Sequence, residues 1–305
     1  MSFSVRPHPL RTPAQAGVQG HKDRRFLPLW IPACAGIRFG VGERCFPPFL
    51  PTGDHPMKPF LTLVLLASAV PTPALAQEAR SFAAAGFDRI AARGCDNIVI
   101  TPGTGFTVRA RGSAGSLAAI EVAVRGQVLT ITRAPGSCDS RARKPAATIA
   151  ITLPALRGLE AAGTGSVRIG TIEGPVFEAQ LRGTGNLTIA GLRVPRVTID
   201  RSGTGTATLD GVQAGRLSLT LSGTGRIVAS GRVDALAITA SGTGHVDTST
   251  LTTNGLSIRA SGTGSVRAQA SGPAAVDASG IARVTVTGRA QCSVNQSGLA
   301  RVTCG

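Results

Sequence analysis

The sequence predicts an all-β fold: a parallel β-helix, or β-solenoid, with coils of about 20 residues, preceded by a segment of short strands that caps its N-terminal end. Two observations carry this reading. The tripeptide Gly-Thr-Gly starts at Gly163, Gly183, Gly203, Gly223, Gly242 and Gly262, an almost constant interval, and a decayed form follows at Gly280 and Gly298 with a slightly shorter one. Between these corners apolar residues recur at every second position, the period of a strand with one buried face. A sandwich of antiparallel strands would also be all-β, but nothing in it would hold so regular a spacing.

Aligning the repeats on their first glycine places Val167, Leu187, Ala207, Ile227, Val246, Val266, Val284 and Val302 in the fifth column and Ile169, Ile189, Leu209, Ala229, Thr248, Ala268, Val286 and Cys304 in the seventh. The second half of each repeat alternates again, as in Phe177, Ala179 and Leu181 or Leu217, Leu219 and Leu221. Single apolar residues between the two runs, Ile172, Leu192, Val212, Val233 and Leu251, are expected to point inward at a bend. Glycine tolerates positive φ without a Cβ clash, so the glycine pair lets the chain turn sharply from one face to the next. Stacked coils place like on like, and Thr164, Thr184, Thr204, Thr224, Thr243 and Thr263 should form a corner ladder with rungs about 4.8 Å apart. A lone coil buries too little to fold, so each depends on its neighbours. About seven coils are expected over residues 143–305.

Residues 1–56 have no periodicity and read as an overextended gene start. Met57-Lys58, the apolar run from Phe60 to Val70 and the Ala74-Leu75-Ala76 site then describe a signal peptide over 57–76. A transmembrane anchor is the rival, but the apolar run is too short to span a bilayer. Of the 32 Lys/Arg and 16 Asp/Glu in the sequence, eight and three precede residue 77, so the mature part carries a net charge of +11. Such a charge favours anionic surfaces.

Residues 77–142 form the N-terminal cap segment. Phe87–Ile90, Ile98–Ile100, Phe106–Arg111, Leu117–Val124 and Val128–Arg133 read as its strands, and it would cover an otherwise open strand edge. An exported chain can oxidise its cysteines, and the mature part holds four: Cys95, Cys138, Cys292 and Cys304. Three pairings are possible. Cys95 with Cys138 would staple the cap, and Cys292 with Cys304 would pin the last, incomplete coil. Without a CxxC pair, and with one mature histidine, metal binding is disfavoured.

Several segments together resemble the GIN domain, a family named for auto-transporter adhesin heads. They are Gly86-Phe87-Asp88-Arg89-Ile90, Gly94-Cys95-Asp96-Asn97-Ile98-Val99-Ile100, Leu129-Thr130-Ile131, Ile151-Thr152-Leu153-Pro154-Ala155-Leu156 and the Gly-Thr-Gly coils. The resemblance covers residues 85–290. It implies an exported β-helical domain of the bacterial envelope, without assigned catalysis or binding residues. No auto-transporter barrel is expected after the solenoid.

Enzymes built on β-helices that act on acidic polysaccharide need clustered carboxylates on one face. Here Asp200, Asp210, Asp247, Asp277, Glu173 and Glu178 fall in different columns, and His245 stands alone. The corners carry Thr where calcium-binding repeats carry Asp, and no helix follows them as in a phosphate-binding loop. Sequence-specific nucleic-acid binding lacks an aromatic platform, because the mature part has neither Trp nor Tyr. Ice binding would need a Thr array wider than one column. No catalytic residue, cofactor or metal is therefore assigned. The expected function is that of an exported, non-enzymatic adhesin-like binding or scaffold module in the periplasm, on the outer-membrane surface or outside the cell. Anionic glycans, lipopolysaccharide or another envelope surface are the expected partners, and an enzyme acting on acidic polysaccharide is the alternative. The candidate strip is basic: Arg226, Arg283 and Arg301 share the fourth column, and Arg168 and Arg267 the sixth. Arg201 falls in a column otherwise held by Leu181, Leu221, Ala240 and Ala260; an unpaired buried guanidinium is costly, so it is expected at a strand end, reaching solvent.

Overall fold

A computed structural model describes residues 77–138 and 145–305. The N-terminal part runs through β1 (Glu78–Phe82), β2 (Arg89–Gly94), β3 (Asn97–Pro102), β4 (Thr107–Gly112), helix α1 (Ala114–Ala118), β5 (Ile120–Arg125), β6 (Val128–Arg133) and β7 (Thr148–Leu153). The repeats supply β8 (Gly158–Gly163), β9 (Val167–Glu173), β10 (Val176–Gly183), β11 (Leu187–Arg193), β12 (Arg196–Gly203), β13 (Thr206–Gly223), β14 (Arg226–Gly242), β15 (His245–Gly262), β16 (Ser265–Ala270), β17 (Pro273–Ala278), β18 (Arg283–Thr287), β19 (Gln291–Gln296) and β20 (Arg301–Cys304). The expected leader at 57–76 and the segment 1–56 ahead of it lie outside the described residues.

The repeats form a β-solenoid. Segments that enter the Gly-Thr-Gly corner pair in parallel with the equivalent segments of the next coil, so that Gly163, Gly183, Gly203, Gly223, Gly242 and Gly262 are mutual register partners. Segments that leave the corner do the same, aligning Val167, Leu187, Ala207, Ile227, Val246, Val266, Val284 and Val302. The fifth and seventh columns are buried as the alternation requires, with only Val302 and Cys304 of the last coil partly exposed. Ile172, Leu192, Val212, Val233 and Leu251 are buried too. In β13, β14 and β15 the chain passes this bend without leaving extended geometry, and the register shift between Leu209 and Val212 marks where it turns.

The two glycines of each corner serve different ends. The first has positive φ, as at Gly183 (96°) and Gly223 (111°). The second does not, yet a Cβ on Gly225 would stand 2.8 Å from the Gly205 carbonyl oxygen of the coil below. Close stacking of corner on corner excludes a side chain there. The threonine between them is exposed in every corner from Thr164 to Thr263. Its N–H donates to the coil below at Thr164, Thr184, Thr204, Thr243 and Thr263, the last reaching the Gly242 carbonyl at 2.8 Å.

Two features depart from the sequence reading. The segment Leu117–Val124 is not all strand: Ser113 caps α1, its hydroxyl accepting from the Ser116 N–H, and β5 starts only at Ile120. Arg201 does not reach solvent. Its side chain lies in the inward column between Leu181 and Leu221, and the residue is 2 % exposed. The guanidinium folds under the corner because Gly205 and Gly225 have no Cβ: one built on Gly205 would overlap the Arg201 guanidinium, and one on Gly225 would stand 3.3 Å from its Nε.

The chain also enters its own stack out of order. β2 pairs with β6 on one side and β8 on the other, and β3 likewise lies between β7 and β9. Antiparallel additions finish this end, with β5 on β6, β4 on β7 and β1 on β4. Both disulfides, Cys95–Cys138 and Cys292–Cys304, are present.

Candidate functional site

Outward residues on the strands that leave the corner stack in columns, one residue per coil. Parallel register places Arg226, His245, Ser265, Arg283 and Arg301 in a single file. Two residues along each strand lies a second file: Val228, Asp247, Arg267, Thr285 and Thr303. With rungs about 4.8 Å apart, Arg267, Arg283 and Arg301 occupy three successive coils. Arg226 sits two coils below Ser265. All four arginines are exposed.

The structure does not bring Arg168 to this group. It belongs to the second file, but Thr188, Thr208 and Val228 lie between it and Asp247, so it stands about 14 Å below the level of Arg226. The corner threonines form their ladder on a different edge of the coil. Inside the basic group His245 Nδ1 and Ser265 Oγ are 2.7 Å apart. Asp247 is held below the usual carboxylate range, first by the Ser249 hydroxyl, which donates to it at 2.7 Å, and further by the Ser249 N–H and the charges of Arg267 and Arg226; partial burial opposes these.

The decisive contrast is in ion pairing. Among the described residues every salt bridge lies between Asp88 and Arg193, including Arg193–Glu173 at 3.0 Å and Arg133–Asp96 at 2.8 Å. Arg226, Arg267, Arg283 and Arg301 make none. The other outward carboxylates do not converge: Asp277 pairs in register with Arg259 and Asn295, and Glu173 is held by Arg193. Sequence reasoning missed the division between paired and unpaired arginines, because column position says nothing of which carboxylate a long side chain reaches.

Residues 86–290 match the family described as "Putative auto-transporter adhesin, head GIN domain". The chain belongs to this family. The GIN-domain fold recurs in solved structures at low sequence identity. A putative lipid binding protein from Parabacteroides distasonis superposes with a TM-score of 0.67 at 18 % identity, over 75 % of this chain and 96 % of the other. Two putative adhesins, from Bacteroides fragilis and Parabacteroides distasonis, give TM-scores of 0.56 and 0.61 at 20 % and 14 % identity, covering 76 % and 75 % of this chain and 98 % and 96 % of theirs. At these identities the likeness is one of fold. No curated protein matches the sequence.

Proposed function

We propose that this GIN-domain protein is exported and acts as a non-enzymatic, adhesin-like surface module that holds anionic glycan, lipopolysaccharide included, along the basic file of its C-terminal coils. One observation carries the reading: Arg226, Arg267, Arg283 and Arg301 share an exposed face without salt-bridge partners among the described residues, while the salt bridges found there all lie between Asp88 and Arg193. Unpaired guanidinium groups at coil spacing suit a polymer with repeated charge, since each can take a carboxylate, sulfate or phosphate through two parallel N–H bonds. The family's adhesin description and the two disulfides support an extracytoplasmic setting. On this face His245 contacts Ser265 while Asp247 is turned to Ser249, so no carboxylate orients the histidine, and the arrangement favours binding over catalysis.

The test is a glycan and lipopolysaccharide array read at two ionic strengths. Saturable binding to acidic members that weakens as salt rises supports the proposal. Binding confined to neutral glycans, or no saturable binding, contradicts it.

A further inference from the structure

We propose that the solenoid interior beside Arg201 holds one small monovalent anion of chloride size. Arg201 occupies an inward column whose register is unbroken on both sides, with Leu181, Leu221, Ala240 and Ala260 as its neighbours along the stack. The residue is 2 % exposed, so little of its charge is solvated from outside. Burial lowers its pKa, but a guanidinium starts so high that it stays protonated at any physiological pH. Most of that charge is left to be balanced within the coil.

The groups nearby do not balance it. One terminal nitrogen donates to the Gly183 carbonyl at 3.3 Å, and Nε has no hydrogen-bond partner. Among the described residues no carboxylate lies within salt-bridge distance. Asp96 lines the same cavity, but its oxygens are taken: Oδ2 accepts from Arg133 Nε and Oδ1 from the Ala147 N–H, each at 2.8 Å. That pair is neutral as a whole, so the corner interior keeps one net positive charge.

There is also room. A cavity with about 30 Å³ of room adjoins Arg201, lined by Gly163, Gly165, Gly185 and Leu181 and, toward its mouth, by the exposed Arg93 and Arg182. This is space for about two waters, enough for a halide and too little for a phosphate, a sulfate or a sugar acid. Water there would leave the charge uncompensated in a low-dielectric interior. A halide supplies the missing counter-charge. The glycine corners that permit tight stacking thus also make an internal anion pocket.

The experiment is thermal unfolding of the full chain in sodium chloride against sodium gluconate at fixed ionic strength, paired with crystals grown in bromide. Wild type should melt higher in chloride, saturably and by roughly 5 °C, and bromide anomalous density should touch the Arg201 guanidinium. Arg201→Leu, which continues the leucine column, should lose both signals. Equal chloride responses in wild type and variant, no saturable response, or no bromide density at the guanidinium would each overturn the proposal. If Arg201→Leu does not fold, Arg201→Met takes its place, and the bromide density in wild type decides the matter alone.

Discussion

The two ends of the solenoid are built from the same kind of coil and finished differently. At the N-terminal end, antiparallel β1, β4 and β5 cover the stack, Cys95–Cys138 ties residues 43 apart, and Arg133 is buried against Asp96 while also donating to the Ser137 carbonyl. At the C-terminal end, β19 and β20 pair only with β17 and β18 among the described residues. The disulfide there spans 12 residues, and Ile281, Val294 and Leu299 are 57 %, 44 % and 74 % exposed. Ile281 and Leu299 sit where the corner threonines sit in earlier coils, with the same N–H bonds to the coil below. The salt bridges among the described residues all lie between Asp88 and Arg193, and the four arginines of the C-terminal file have none. Ion pairing and the exposed basic file thus fall in different stretches of one solenoid.

The largest effect should come from cutting the buried ion pair. Asp96→Ala strands the Arg133 guanidinium and the Ala147 N–H, and should lower unfolding free energy by about 3–5 kcal/mol in a urea titration; a loss under about 1 kcal/mol would mean that the N-terminal end is not the anchored one. Next come the disulfides. Loop-closure entropy gives about 4 kcal/mol for Cys95–Cys138 and about 3 kcal/mol for Cys292–Cys304, yet the second closes only the last coil. Replacing Cys292 and Cys304 with serine should therefore speed hydrogen exchange in β19 and β20 and leave β2 to β9 unchanged, whereas the same change at Cys95 and Cys138 should loosen the N-terminal rungs. The smallest effect belongs to Asp247. Asp247→Asn removes the one carboxylate within the basic file and should raise affinity for an anionic glycan about two-fold. Lowering the pH should not reproduce this above about pH 4. The folded pKa of Asp247 is depressed, so the carboxylate stays ionised until pH falls below its ordinary range, and whatever stability it contributes is lost only there.

Most of the architecture was legible because the corner glycines repeat: once they are aligned, Val167, Leu187 and Ile227 must share a face, and they are buried. The cysteine partners followed from placing one pair at each end. The intercalation of β2 and β3 was not legible, since rung order is a property of space and both strands look alike whether they lie outside or inside the stack. Helix α1 was hidden by its shortness, a single turn and a half in which a helical period cannot declare itself beside Ser113. Arg201 misled because its column called for a leucine, and the cost of burying a charge argued for escape. The space is left by Gly205 of its own corner and by Gly225 of the next coil, and how closely these stack over the side chain is not readable from column positions. For the basic file, column numbers were legible but coil numbers were not weighed, and so Arg168 was grouped with arginines that stand several rungs away.

The most direct test of the division between ends compares two variants that remove equal charge. In one, Arg226, Arg267, Arg283 and Arg301 become glutamine; in the other, the exposed Arg109, Arg125, Arg168 and Arg196 do. Affinity for one acidic glycan, measured by calorimetry at low salt, should fall at least ten-fold in the first variant and less than three-fold in the second, at about 0.2–1 kcal/mol per exposed charge pair. Equal losses would show that net charge alone attracts the ligand, and the C-terminal file would then have no special part in binding.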